Sequence, residues 1–318
     1  MGKKSGSTVD VVALLMPDAI IDCGGRMKSQ IHQPLLIPAS QFSIERLALL
    51  LSQVYVDYFL PVWMDADRFR QMCDLEDVNL SHSLVALIMD EPVGLALLSQ
   101  RDARGWISGV GVLPLYRRQG IAKLMVETLQ SSARALRLDL LMLEVLVQNK
   151  AGLDLYRQLG FQNRRDFVVL TLEESNFKST ALPADISFEK PDSLLKNHAA
   201  LCKFPPSWQR EPVSLAKRID RLQGLALRED GRLIGYLLYE EQERHQAIYD
   251  LAIDPVYAQR VEAARLLLLA VHRLRPGIGG YFVNLPAKTE LLDAFLQVGY
   301  RIWQQQREMV WRVKEAAE

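Results

Sequence analysis

Apolar residues spaced three and four apart follow Ser43, which stands three residues before Arg46 as an N-cap would, and predict an amphipathic helix over Ile44 to Tyr58. A short extended segment, His32 to Leu36, leads into it, and a second helix is expected over Asp67 to Leu75. The period then shortens. Ser83 to Met89 and Val93 to Ser99 read as strands joined at a turn formed by Asp90-Glu91-Pro92, and Trp106 to Leu113 reads as a third strand that ends at Pro114. Ile121, Leu124, Met125, Leu129 and Leu136 share one stripe of a further helix. An apolar strand from Leu140 to Val147 follows, then a short helix from Lys150 to Leu159 stopped by Gly160, then a strand from Phe167 to Leu172 expected to close the unit. This order predicts an α/β fold, a mixed sheet with helices packed against it.

The second half repeats the order. Gly235-Tyr236-Leu237-Leu238 echoes Gly94-Leu95-Ala96-Leu97, and Ala252 to Tyr257 echoes Gly111 to Tyr116, both at an offset of 141 positions. Leu296-Gln297-Val298-Gly299-Tyr300 echoes Arg157-Gln158-Leu159-Gly160-Phe161 at an offset only two positions smaller. Such agreement indicates a tandem duplication. The expected organisation is a loose tail over residues 1–29, with Met27 a second candidate start, then domains over 30–177 and 178–318.

Composition narrows the function classes. Of 318 residues, 49% are apolar and 24% charged, and 38 acidic side chains cancel 38 basic ones, which leaves no electrostatic footprint for a general nucleic-acid binder. Lys3 and Lys4 precede an apolar stretch that Asp10 interrupts, a poor signal peptide. Ser52, Gln53 and Asp57 break the apolar run from Leu47 to Met64, so no membrane span is expected. Cys23, Cys73 and Cys202 show no paired spacing, and five histidines are dispersed; neither a disulfide framework nor a metal site is expected, and a reducing cytoplasm fits.

Chemistry concentrates in two places. Pro114-Leu115-Tyr116-Arg117-Arg118-Gln119-Gly120-Ile121-Ala122 leaves a strand and opens a helix, whose first N–H groups and dipole attract anions. Gly120 lets the backbone approach a phosphate, Ala122 leaves room, and Arg117 and Arg118 add positive charge. Further on, Glu144 interrupts an apolar strand, where burial should raise its pKa, as a base for an ammonium substrate requires; a solvent-facing or arginine-paired glutamate is equally compatible. Asn149 can N-cap the next helix, and Tyr156 shares a helical stripe with Gly152, Leu155 and Leu159, a position that by itself is more often core than catalyst.

Together, Val112-Leu113-Pro114 and Arg117-x-x-Gly120-x-Ala122 resemble the GNAT superfamily of N-acetyltransferases, whose signature is Q/R-x-x-G-x-G/A after a strand ending V-x-P. The resemblance implies two tandem GNAT domains using acetyl-CoA as co-substrate and no metal. It gives the pyrophosphate to Arg117, Arg118, Gln119, Gly120, Ile121 and Ala122, and the pantetheine arm to the backbone of Val110, Gly111 and Val112. Glu144, Asn149 and Tyr156, followed by Gly160-Phe161, are similar to the form used by ribosomal-protein N-terminal acetyltransferases. That implies Glu144 as general base, Asn149 near the cofactor and Tyr156 as the acid for the departing thiolate. The match covers residues 83–172 well and the preceding helices loosely.

The second half departs from the pattern. At the offset of 141, Arg117, Gly120 and Ala122 become Ala258, Val261 and Ala263 beside Glu262, and Phe295 stands for Tyr156. A phenyl ring cannot donate a proton. The expectation is an acetyltransferase acting by direct amine attack, confined to the first domain, on a small amine or peptide N-terminus; the alternative is a non-catalytic acyl-CoA sensor or scaffold. Asp57, Tyr58, Trp63, Asp65 and Asp67 line an acceptor cleft or form a hydrated helix face.

Overall fold

The computed structural model describes residues 20–21, 27–28, 33–59, 62–174, 177–178, 181–202 and 204–313. Of the expected tail, only β1 (Ile20–Ile21) and β2 (Met27–Lys28), an antiparallel pair, lie within the described residues; Cys23 lies outside them.

The first half runs β3 (Leu35–Pro38), α1 (Ile44–Val54), α2 (Ala66–Glu76), β4 (Leu84–Ile88), β5 (Glu91–Arg101), β6 (Arg104–Val112), α3 (Ile121–Ala135), β7 (Leu140–Leu146), α4 (Lys150–Gln158) and β8 (Gln162–Leu172). Ser43 accepts from Arg46 N at 3.4 Å and starts α1 as expected. That helix stops at Val54 rather than Tyr58, and Arg117 Nη2 then takes the Val54 carbonyl at 3.1 Å. The first hairpin also differs from expectation. Met89 and Asp90, both at positive φ, form a two-residue turn, and Glu91 and Pro92 already belong to β5, where the register shifts beside Leu87.

The second half runs β9 (Ile186–Phe188), α5 (Pro191–Leu195), α6 (His198–Leu201), α7 (Pro212–Ala216), β10 (Gln223–Glu229), β11 (Arg232–Glu241), β12 (His245–Ile253), α8 (Arg260–Leu274), β13 (Gly279–Pro286), α9 (Leu291–Val298) and β14 (Arg301–Arg312). Both halves therefore carry the same order of strands, with three short helices, α5 to α7, in the place of α1 and α2.

What joins them is an exchange of last strands. The large sheet has the order β3-β4-β5-β6-β7-β14-β8-β13-β12-β11-β10-β9. β8 does not close the first half; it pairs with β13, and β14 fills the place beside β7. Equivalent strands β14 and β8 run antiparallel, with Gln306 opposite Phe167 at the centre. Core side chains follow the strands. Met309 of β14 is fully buried among Leu141, Leu143, Leu129 and Phe161, while Val168, Leu170 and Leu172 of β8 pack with Leu267, Phe295 and Tyr300. Each half thus completes its core with the other's final strand.

On the first half's sheet, α1 and α2 cover one face, with Leu47, Leu51, Val54 and Phe69 against Val85, Leu87, Leu95 and Leu97. α3 covers the other, with Met125 and Leu129 against Ala86, Ala96, Leu98 and Leu143. The segment around α7 docks back onto the first half. Trp208 stacks on Trp106 with ring centroids 5.8 Å apart, Trp208 Nε1 donates to Glu76 O at 2.8 Å, and Arg101 donates to Trp208 O and Ser214 Oγ.

Candidate active site

β6 and β7 are parallel neighbours only from Arg104 opposite Leu140 to Ile107 opposite Leu143. Beyond that they diverge, so Ser108 to Val112 and Glu144 to Leu146 form the walls of a wedge. A bulge starts the divergence: Leu97 and Leu98 on β5 face Gly109 and Ile107, which leaves Ser108 as the extra residue. Backbone groups of β6 that would otherwise meet β7 now face the wedge.

One side chain already uses them. Tyr55, just past α1, places its hydroxyl 3.1 Å from Val110 O and 3.2 Å from Val110 N, so it donates to one and accepts from the other. The glycines of β6 make room for this. A Cβ on Gly111 would lie 2.4 Å from Val54 Cγ2, and one on Gly109 would lie 3.5 Å from the Tyr55 hydroxyl. The close approach at Gly111 is therefore made by Val54 at the end of α1, while Gly109 lies in ordinary contact with Tyr55. Val112 O accepts from Arg117 Nε at 3.0 Å.

At the wide end of the wedge, Gly120 caps α3 at φ 83°, and a Cβ there would meet nothing within 4 Å. The first turn of α3 carries no acidic residue, so its N–H groups face an open, unopposed space. Arg118 and Gln119 are exposed beside it, and Ile121 is buried, anchoring the helix start in the core. Arg117 lies differently from expectation. Its guanidinium forks onto Asp57 at 2.7 and 2.6 Å and ties the end of α1 to the loop. Its positive charge is already paired.

Glu144 lies on the α1–α2 side of β7 and accepts a hydrogen bond from Trp106 Nε1. Burial, then the neighbouring Glu308 and, less, Glu76, lift its pKa to about 8, against the opposing pull of Trp106 and Arg165. Glu308 stands directly opposite Glu144 on β14 and is held by Arg165 at 2.8 and 3.1 Å. The surroundings of Glu144 are thus partly built by the second half, through Glu308 and through Trp208 behind Trp106. Sequence separation hid both.

Asn149 takes the capping position: its Oδ1 accepts from Gly152 N at 2.9 Å, while Nδ2 lies 3.5 Å from the Tyr58 hydroxyl. Tyr58 in turn packs edge-on against Tyr55 at 5.1 Å. Tyr156 rests edge-on against Phe161, and its hydroxyl hydrogen-bonds no described residue. Burial, with Tyr55 and Tyr58 near, pushes its pKa up, so it stays a proton donor across the physiological range. Tyr55 and Tyr58 were not singled out as wedge residues by sequence, because aromatic residues ending an amphipathic helix look like core. Of the residues considered for an acceptor cleft, Asp57 pairs with Arg117, Asp65 caps α2 at Arg68 N, Asp67 is exposed and pairs with Arg70, and Trp63 lies exposed under Arg68.

The second half has the same wedge with different contents. β12 and β13 pair from His245 to Ile248 and then diverge. Arg210 bridges the gap, donating to Val283 O at 3.2 Å and reaching Asp250 Oδ1 at 3.4 Å over the Phe282 ring. The helix starts correct the comparison of loops. α3 and α8 correspond at an offset of 139, so the loop before α8 is two residues shorter and Gly120 corresponds to Gln259 rather than Val261. Glu262 then stands in the first turn, Val283 where Glu144 stands, and Phe295 where Tyr156 stands.

A family model described as the acetyltransferase (GNAT) family matches residues 49–161. No curated protein sequence matches the chain. Among solved structures, a GCN5-related N-acetyltransferase from Sphaerobacter thermophilus is 14% identical at a TM-score of 0.66, covering 90% of this chain and 97% of that one. A tandem GNAT protein from the clavulanic acid biosynthesis pathway is 13% identical at 0.62, covering 90% and 100%. A GCN5-related N-acetyltransferase from Anabaena variabilis is 16% identical at 0.59, covering 89% and 73%. No helix among the described residues is long and apolar enough to cross a membrane. Residues 49–161 thus match the acetyltransferase (GNAT) family model, and the chain shares its fold with GNAT structures, a tandem one included.

Proposed function

We propose that the first half is an acetyl-CoA-dependent N-acetyltransferase and that the second half is a degenerate copy that supports it. The observation that carries this reading is the wedge of β6 and β7 leading from Glu144 to the open, acid-free start of α3 at Gly120. These residues fit an acyl-CoA: the helix start suits phosphates, and the wedge offers strand backbone to an extended arm. Acetyl-CoA supplies the activated acyl group. To pair with Val110, an extended arm displaces the Tyr55 hydroxyl.

In this proposal Glu144, when ionised, takes the proton of the attacking amine. Val112 lies two residues beyond Val110 on the strand, so its N–H faces the same side and is placed to stabilise the developing oxyanion. Tyr156 donates its proton to the leaving thiolate. Amine-dependent thiol release should therefore be measurable across a panel of polyamines, aminoglycosides and N-terminal peptides. Tyr156→Phe should lower kcat at least about tenfold while acetyl-CoA affinity by calorimetry stays within about threefold. Unchanged turnover in that variant refutes the assignment.

Glu144 also predicts a pH dependence. A carboxyl with its pKa near 8 is mostly protonated at pH 7, so kcat/KM should rise about tenfold per pH unit from pH 6 and level off above 8. Glu144→Gln should be slower by on the order of 10²-fold and should lose that rise. A rise that persists unchanged in Glu144→Gln would sink the role of base.

Against the sensor reading for the first half stands the presence of Glu144 and Tyr156 beside the open helix start. For the second half, Arg210 across the wedge and Gln259 at the helix start favour a non-catalytic role in acyl transfer.

A further inference from the structure

The second wedge has lost the groups of acyl transfer, yet where β12 and β13 diverge it encloses a cavity of about 50 Å³. Three charged side chains line it, Arg210, Arg260 and Asp250, which are 8%, 7% and 4% exposed. Asp250 already accepts from four donors: the Tyr236 hydroxyl at 2.7 Å, His198 Nδ1 at 3.0 Å, Leu251 N at 3.0 Å and Arg210 Nη2 at 3.4 Å. Glu290, which accepts from Arg260 Nη1, is exposed and does not line the cavity. Two guanidiniums therefore face the cavity against one carboxylate that is fully engaged.

Two polar atoms of the lining residues are buried with no hydrogen-bond partner among the described residues: Arg260 Nε, a donor, and Asn284 Oδ1, an acceptor. Asn284 is 2% exposed and lies at φ 61° in the irregular stretch of β13 between Phe282 and Leu285, a left-handed backbone that asparagine tolerates. Its amide is oriented from the first half. The Gln209 side chain donates to the Glu76 carboxylate, and its Oε1 accepts from Asn284 Nδ2 at 3.3 Å, so Oδ1 is the atom left for the cavity.

We propose that this cavity binds a small oxyanion that carries one proton, the chemical class of bicarbonate. Charge calls for an anion, because the surplus buried guanidinium is costly without a counter-charge. Hydrogen bonding calls for both kinds of partner on one molecule. Arg260 Nε–H needs an oxygen acceptor, and Asn284 Oδ1 needs an O–H donor, which bicarbonate supplies and a carboxylate such as acetate does not. Size sets the limit: a water needs about 10–15 Å³, so about 50 Å³ suits roughly four atoms of that size, the number in bicarbonate, and excludes a coenzyme thioester. Binding here needs no acyl transfer in the first wedge.

The test titrates the full chain with sodium bicarbonate by isothermal calorimetry near neutral pH, with sodium acetate and sodium chloride at equal ionic strength beside it. One site per chain should saturate with a Kd of about 5 mM or below. Acetate should bind at least about tenfold more weakly, because Asn284 Oδ1 stays unpaired, and chloride should not saturate. Asn284→Asp keeps a residue that suits the left-handed backbone but sets a carboxylate against the anion, and should weaken bicarbonate at least about tenfold. Arg260→Met should do the same, with near-UV circular dichroism unchanged. Should either variant fail to fold, the comparison of anions on the wild-type chain decides. No saturation by bicarbonate up to about 50 mM, which leaves the cavity to water only, overturns the site. So does acetate or chloride binding as tightly as bicarbonate, or an unchanged Kd in folded Asn284→Asp or Arg260→Met.

Discussion

Residues 1–177 expressed alone should not give a folded monomer. Without β14, β7 and β8 lose the strand that lies between them, and Leu141, Leu143 and Phe161 lose the fully buried Met309. Arg165 would also lose the Glu308 carboxylate that it grips at two atoms. A single buried Met→Ala change costs about 2–5 kcal/mol, and a whole domain holds only about 5–15, so removal of a central strand exceeds the margin. The same argument applies to residues 178–318, which lose β8 from beside β13. Each half alone should aggregate or pair with a second copy, whereas the two co-expressed should copurify one to one. Met309→Ala in the full chain gives the graded version, a melting temperature lower by roughly 5–15 °C. A cooperative, monomeric melt of residues 1–177 by circular dichroism and analytical ultracentrifugation would refute the coupling.

Gly120→Glu should abolish acetyl-CoA binding by the whole chain, a loss of at least about 100-fold by calorimetry. The physical reasons can be separated. Gly120 is left-handed at φ 83°, so any side chain adds backbone strain, but its Cβ points into open space and displaces no packed atom. Asparagine tolerates that conformation, so Gly120→Asn should keep most of the stability and lose affinity only modestly. Glutamate brings the same strain plus a carboxylate at the positive end of α3, where phosphates would sit. If Gly120→Glu and Gly120→Asn bind alike, charge at the helix start is irrelevant and the phosphates lie elsewhere. Residual stoichiometric binding by Gly120→Glu would have the same meaning, or would place the cofactor in the second wedge, against Arg210 and Gln259.

Local signals in the chain determined a great deal. Ser43 as N-cap, the positive-φ glycines Gly120 and Gly160, and the short apolar runs of β4 to β7 each act within a few residues, so the elements and their order follow from sequence. The raised pKa of Glu144 was half legible: an apolar strand allowed desolvation or a solvent-facing or paired carboxylate equally, and the arrival of Trp106 and Glu308 decided between them. Duplication was legible too, although the two-residue difference between the loops before α3 and α8 showed only when the helices were placed.

Tertiary structure decided the rest, wherever an outcome depended on which distant group arrived. Arg117 looked free for phosphate and is taken by Asp57, sixty positions away. Tyr55 looked like core and bonds the strand backbone of the wedge. His198 looked dispersed until Asp250 came beside it. The exchange of β8 and β14 is the clearest case. The two strands are equivalent copies, and a sheet edge offers backbone groups that any strand can satisfy, so no local pattern says which copy completes which half. Only the packing of Met309 into the first core and of Val168 and Leu170 into the second settles it, and with it the presence of Glu308 opposite Glu144.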